Sequence, residues 1–180
     1  MRKIVAGLFV SLDGVVESPD KWMGPYDGEE VDQAIESSMA AADIMLLGRH
    51  TYQEFAGYWA DKPSDVRFAD YLNTTPKLVV STNLNKVEWQ NSTLISTNVA
   101  EEIAKLKQQA GKNIYMSGSA TLVGWLLRQG LLDELELFVF PVLVGHGKRL
   151  FEGDPVALKL AESKVFRDGV LHLTYQVAGT

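Results

Sequence analysis

Apolar positions along the chain fall into runs of two different periods. Residues 3–10 are almost continuously apolar, the pattern of a strand covered on both faces. A Gly- and Pro-containing loop follows. Asp27, with Glu30 three residues later, resembles a capping box, and Val31, Ala34, Ile35 and Ala42 then share one helical face. The short apolar run 44–48 predicts a buried strand, residues 64–73 a short helix, and residues 78–80, introduced by Pro76, another strand. Asn98 opens a helix that carries Val99, Ile103, Leu106 and Ala110 and stops at Gly111. Residues 114–116 predict a strand, and residues 120–129 a helix ended by Gly130.

Beyond this point the period changes to two. Leu135, Leu137 and Val139 alternate with Glu136 and Phe138, in an apolar stretch that runs on to residue 144. Residues 165–171 read as a hairpin closed by a two-residue Asp168-Gly169 turn, with Leu171, Leu173, Tyr175 and Val177 on one face of the last strand. Alternating strands and helices imply parallel pairing in the first two-thirds and antiparallel pairing in the last. The fold class is α/β: one domain over residues 1–180, with a mixed, mainly parallel sheet and an antiparallel C-terminal hairpin.

Composition narrows the chemistry. The chain has 180 residues, no cysteine, three histidines and a net charge of −6. Without cysteine there is no thiol nucleophile, disulfide or Cys-based zinc site, and three scattered histidines make no metal signature. The acidic balance argues against a partner bound by phosphate neutralisation, so no nucleic acid is expected. Met1-Arg2-Lys3 before an apolar run begins like a signal peptide. The run is short and lacks a cleavage site, so a cytoplasmic protein is expected, with no membrane partner.

In open α/β sheets, ligands bind beyond the carboxyl ends of the strands. Three such ends carry suitable residues. Gly48-Arg49-His50-Thr51 offers a sharp turn, a guanidinium and a hydroxyl that caps the next helix or meets a phosphate. Ser81-Thr82 offers two hydroxyls for a ribose or phosphate, or an ordinary hydroxyl turn. Ser117-Gly118-Ser119-Ala120-Thr121 offers small residues before a helix N-terminus. His50 is read as either a phosphate contact or a surface turn residue, His146 as a strand-end loop residue and His172 as solvent-facing, and Trp22 and Trp59 as loop residues able to wall a flat substrate.

Together with residues 11–14, 77–81 and 131–147, these segments resemble the dihydrofolate-reductase-like superfamily. They are most similar to the reductase domain of the bacterial bifunctional riboflavin-biosynthesis deaminase/reductase. The resemblance implies a three-layer α/β/α fold and NADPH as cofactor. Gly48, Arg49 and Thr51 would stand at its phosphates. Ser81 and Thr82 would flank the adenosine ribose and its 2′-phosphate, Gly118, Ser119, Ala120 and Thr121 would line the pyrophosphate, and Leu12, Asp13 and Gly14 would lie near the nicotinamide. Asp32, sixteen residues before Gly48, matches the folate-binding carboxylate of dihydrofolate reductases and is the candidate proton relay. The implied activity is reduction of a riboflavin-precursor or pterin-like substrate. Dihydrofolate reduction and non-catalytic nucleotide binding are the alternatives, and a homodimer through the antiparallel region is expected. Two segments depart from the family pattern. Gly118-Ser119 replaces paired glycines, and residues 60–67 replace the Asp-Asp-Pro stretch with its following arginines.

Overall fold

The computed structural model describes residues 1–26 and 28–177. Eight strands form one sheet in the order β4-β3-β2-β5-β1-β6-β8-β7. They are β1 (Ile4–Ser11), β2 (Ala42–Gly48), β3 (Lys77–Val80), β4 (Ser92–Ile95), β5 (Asn113–Met116), β6 (Glu134–Phe140), β7 (Leu158–Val165) and β8 (Leu171–Val177). The first six run parallel; β8 adds antiparallel to β6, and β7 antiparallel to β8 at the edge. The carboxyl ends of six strands therefore share one edge.

Alternation across the pleat sends each strand's side chains into two cores. Ile4, Ala6 and Leu8 pack with Leu46, Ile114 and Met116 against α4 (Val99–Gln108) and α5 (Ala120–Arg128). Val5, Met45, Leu47, Val79 and Tyr115 face α1 (Glu29–Ala40), α2 (Arg49–Trp59) and α3 (Ala69–Thr74). The result is the three-layer α/β/α arrangement, with β1 buried on both faces.

Several boundaries differ from the sequence reading. Asp27 lies outside the described residues. The N-cap of α1 is Gly28, and Glu30 instead accepts the Arg167 N–H at 2.8 Å, tying the helix start to the C-terminal hairpin. Ala42 belongs to β2, not to the helical face. The helix expected over 64–73 is only α3, because residues 61–68 turn to bring Arg67 onto α1. Thr51 does not cap α2; Gly48 does, and Thr51 sits in the helix's first turn. Strand β6 ends at Phe140. The Asp-Gly hairpin has a three-residue loop: Phe166 N–H donates to Val170 O at 2.9 Å, and Gly169 takes φ 84°. Polar β4 and β7 carry no strong period and escape a reading based on apolar runs.

One buried charge helps to position the sheet. The Lys77 ammonium, fully buried at the start of β3, donates to the carbonyls of Leu72 (2.7 Å) and Thr75 (2.9 Å) and lies 4.3 Å from the Trp89 ring. It satisfies carbonyls at the end of α3 that the helix leaves unpaired. Burial pushes its pKa down to about 8.

Candidate functional site

The shared carboxyl edge gathers most of the predicted residues. Strands β2 and β5 are neighbours, so the turns leaving them meet. A Cβ added at Gly48 would stand 2.5 Å from Ser119 Oγ, and one at Gly118 would stand 2.8 Å from Thr51 Oγ1. Gly48, Thr51, Gly118 and Ser119 thus form one contact group between the N-termini of α2 and α5. Gly118 has φ 128°, a region that favours glycine, and the Gly118–Ser119 bond is cis. Ser119 caps α5, accepting from the Leu122 N–H at 3.4 Å, while Ala120 and Thr121 form the first helical positions. Thr51 is buried, and Arg49 lies at the rim with its guanidinium 3.0 Å from His50 Nε2.

The turn after β1 lies on the same edge, one strand beyond β5. Asp13 organises it. Its carboxylate accepts from Ser11 Oγ at 2.6 Å, Val144 N–H at 3.1 Å and Gly145 N–H at 2.7 Å. Three donors hold the carboxyl well below the usual carboxylate range. Asp13 therefore braces the ends of β1 and β6 against each other. Gly14, at φ 86°, makes the turn, and Leu12 stands 63% exposed beside it. Ser81 closes a hydroxyl turn, accepting from Asn83 and Leu84 N–H, both at 3.1 Å, so the simpler of its two readings is present. Thr82 is exposed next to it.

Asp32 belongs to a different group. On α1 its carboxylate is 2.9 Å from the Arg67 guanidinium, which also meets Glu29 at 2.8 Å and Glu36 at 2.7 Å. The surrounding carboxylates push Arg67 further up. The segment that departs from the family's substrate stretch thus delivers its arginine to α1.

Two cations, and the phenylalanines that pack around Trp22, were missed in the sequence. Lys148 Nζ donates to Thr121 Oγ1, and Arg149 donates to Asp13 O, because residues 148–150 pair back onto residues 14–16. A basic pair after the Gly145-His146-Gly147 turn was the available signal. Trp22 and Phe9 each lie 5.6 Å edge-on from Phe140, with Tyr26 at 6.5 Å, on the α1 face just inside the ends of β1 and β6. Trp22 lies in a loop, as read from the sequence, and packs against Phe140. Trp59 does not: it lies on α2, packed edge-on to Tyr58 at 4.8 Å. His172, read as a surface residue, is buried, because its face of β8 turns under α1. Among the described residues, no helix is long and apolar enough to cross a membrane.

Comparison with known proteins agrees with this architecture. A family model described as the RibD C-terminal domain matches residues 2–172. The Bacillus subtilis (strain 168) protein YyaP is 29% identical over 99% of this chain and 96% of its own. A putative riboflavin biosynthesis protein from Shewanella sp. PV-4 superposes with a TM-score of 0.80 at 22% identity, covering 97% of this chain and 98% of that one. Dihydrofolate reductase from Enterococcus faecalis, complexed with NADP(H), superposes with a TM-score of 0.64 at 15% identity, covering 98% and 96%. The last two likenesses show the fold. Matched along almost its whole length, the chain belongs to the RibD C-terminal domain family.

Proposed function

We propose that the protein is an NADPH-dependent reductase of a ribosylaminopyrimidine-phosphate or pterin-like substrate. The observation that carries this reading is the meeting of Gly48, Thr51, Gly118 and Ser119 between two helix N-termini. A Cβ at either glycine would collide with the facing Ser119 or Thr51 side chain, so only glycine lets the two turns come this close and set both helix N-termini side by side for a pyrophosphate. Arg49 supplies a fork for a phosphate, and Lys148, held at the Thr121 hydroxyl, adds a second cation.

In this reading Arg49 and Thr51 hold phosphates, and Gly118, Ser119, Ala120 and Thr121 line the pyrophosphate. Ser81 and Thr82 flank the adenosine ribose, and Leu12, Asp13 and Gly14 border the nicotinamide. When bound, NADPH supplies the hydride. The protein's own contribution is position. Asp13 fixes the β1 and β6 turns, and Phe9 and Trp22, packed edge-on around the buried Phe140, offer apolar surface near them. Asp32 relays the proton that accompanies the hydride. Arg149 stands on the same edge as a cation for a substrate phosphate, a role Arg67 does not fill while it is engaged by α1. Reduced-nicotinamide oxidation tests this with a ribosylaminopyrimidine phosphate and with dihydropterins. Turnover with the former is expected. Turnover with dihydrofolate alone would favour dihydrofolate reduction, and no turnover with any of them would contradict the reductase reading.

We also infer that two copies pair through β7 and β8. Leu158, Leu160 and Val165 are 37%, 50% and 76% exposed, and they share one face with Leu171, Leu173 and Tyr175. A bulge between Leu160 and Glu162 keeps the charged residues Glu162 and Lys164 on the other face. An eight-residue edge strand, exposed throughout, is a template for a second copy of itself.

A further inference from the structure

Residues 61–68 leave α2 and double back to set one side chain, Arg67, on α1. The turn is made at a cost. Phe68, the next residue, takes φ 68°, a left-handed conformation that is unfavourable for a bulky side chain. Strain of this kind persists where the surrounding contacts hold it, and it gathers at functional positions. Here the guanidinium is held from two sides. Its carbon lies 5.5 Å from the centre of the Phe68 ring, and its nitrogens reach Glu36 at 2.7 Å, Glu29 at 2.8 Å and Asp32 at 2.9 Å.

The three carboxylates are not equivalent. Glu36 takes Nε and Glu29 takes Nη1 and Nη2, which is enough to anchor the arginine. Those two side chains are 47% and 64% exposed, whereas Asp32 is 26% exposed. The long glutamates hold the guanidinium, and the short, half-buried aspartate is the group that the guanidinium holds. Its place matters. Helix α1 runs opposite to the strands it covers, so Asp32, in its first turn, stands toward the edge where β1 and β6 end. Val31 beside it packs with Phe138 and Phe140. The other charged groups near this end are Glu30, which accepts the Arg167 N–H, and Asp168, whose carboxylate stands by Gly28.

We infer that Arg67 is a positioning residue for the reduction, fixing both the direction and the charge of the Asp32 carboxylate. The inference rests on the reductase reading, in which Asp32 passes the proton. In the reduction of a C=N bond, an ionised Asp32 favours the form with a protonated nitrogen, the proton reaching it from solvent across the carboxylate. Hydride from the cofactor then adds to carbon, the π electron pair moves to nitrogen, and the nitrogen keeps its proton as a neutral amine. A guanidinium suits the task because it stays charged at every working pH and its donors are fixed in one plane.

Two measurements on the same variants test this. Carbon-13 NMR follows the Asp32 carboxyl directly, without substrate, in the wild type, Arg67→Met and Arg67→Lys. Arg67→Met should move its titration upward by about one pH unit or more, and Arg67→Lys by less than about half as much. NADPH oxidation with a ribosylaminopyrimidine phosphate then follows turnover across pH. Arg67→Met should lower kcat at neutral pH about tenfold or more with KM within about twofold, and raise the acid limb of the profile by the amount seen in NMR. Arg67→Lys, charged but without the planar fork, should keep the acid limb and recover only part of kcat. Glu36→Gln, which removes another contact of Arg67, should lower the Tm to a similar extent and leave kcat and the limb in place. An Asp32 titration or an acid limb unmoved in Arg67→Met, or moved as far in Glu36→Gln, would overturn the inference. Wild-type turnover in Asp32→Asn, or none in the wild type, fails the reductase reading of Asp32 and with it the role of Arg67; the NMR shift would then mark an ion pair alone.

Discussion

Single residues carry the sharpest expectations. Gly118 combines φ 128° with a Cβ position 2.8 Å from Thr51 Oγ1. Gly118→Ala should therefore lower stability by about 1–3 kcal/mol, read as a Tm decrease, and weaken NADPH binding as well. Wild-type Tm and affinity would show that the cradle is not built as described. Asp32→Asn loosens the ion pair with Arg67 at the half-buried Asp32, so Tm should move by a few degrees at most, as about 1 kcal/mol allows. Loss of the proton relay should lower kcat about 100-fold or more. Unchanged turnover would leave Asp32 to the Arg67 group alone. His172 adds a pH dependence. Burial lowers its pKa from 6.5, so between the folded value and 6.5 the unfolded chain binds more protons. Stability from this residue is thus present above pH 6.5 and declines as the pH falls below it. His172→Phe should flatten that part of a Tm–pH profile, and an unchanged profile would contradict the burial argument. Glycine, serine and threonine at strand ends were legible in the sequence because the fold rule says where to look. Asp13's bracing role was not, since two of its three donors come from residues more than 130 positions away.

At the scale of elements, strong apolar periodicity was readable and weak periodicity was not. Strand β1, buried on both faces, and α5, framed by Ser119 and Gly130, stand where the pattern places them. Strand β4 reads Ser92-Thr93-Leu94-Ile95 and covers the end of the sheet with little apolar signal. Strand β7 is exposed on both faces, and its bulge breaks the alternation that would have announced it. The chemistry of β7 argues for a partner. Sedimentation at micromolar concentration should show a dimer, and Leu160→Lys with Val165→Lys should convert it to monomer with the fold intact by circular dichroism. A wild-type monomer would contradict the pairing.

For the whole molecule, six parallel carboxyl ends set the division of labour. One edge holds the turns suited to a dinucleotide. The α1 face near that edge holds the aromatic cluster around Phe140 and the Asp32–Arg67 pair. No cysteine is needed for such chemistry, because in the proposed reading the reactive hydride comes with the cofactor and the protein contributes orientation and charge. The most direct test of that reading is calorimetric titration with NADPH and NADH, in the wild type and in Arg49→Ala. The account predicts NADPH binding tighter than NADH by at least tenfold, and a loss of NADPH affinity in the variant. Absence of NADPH binding, or equal affinity for the two cofactors, would contradict it.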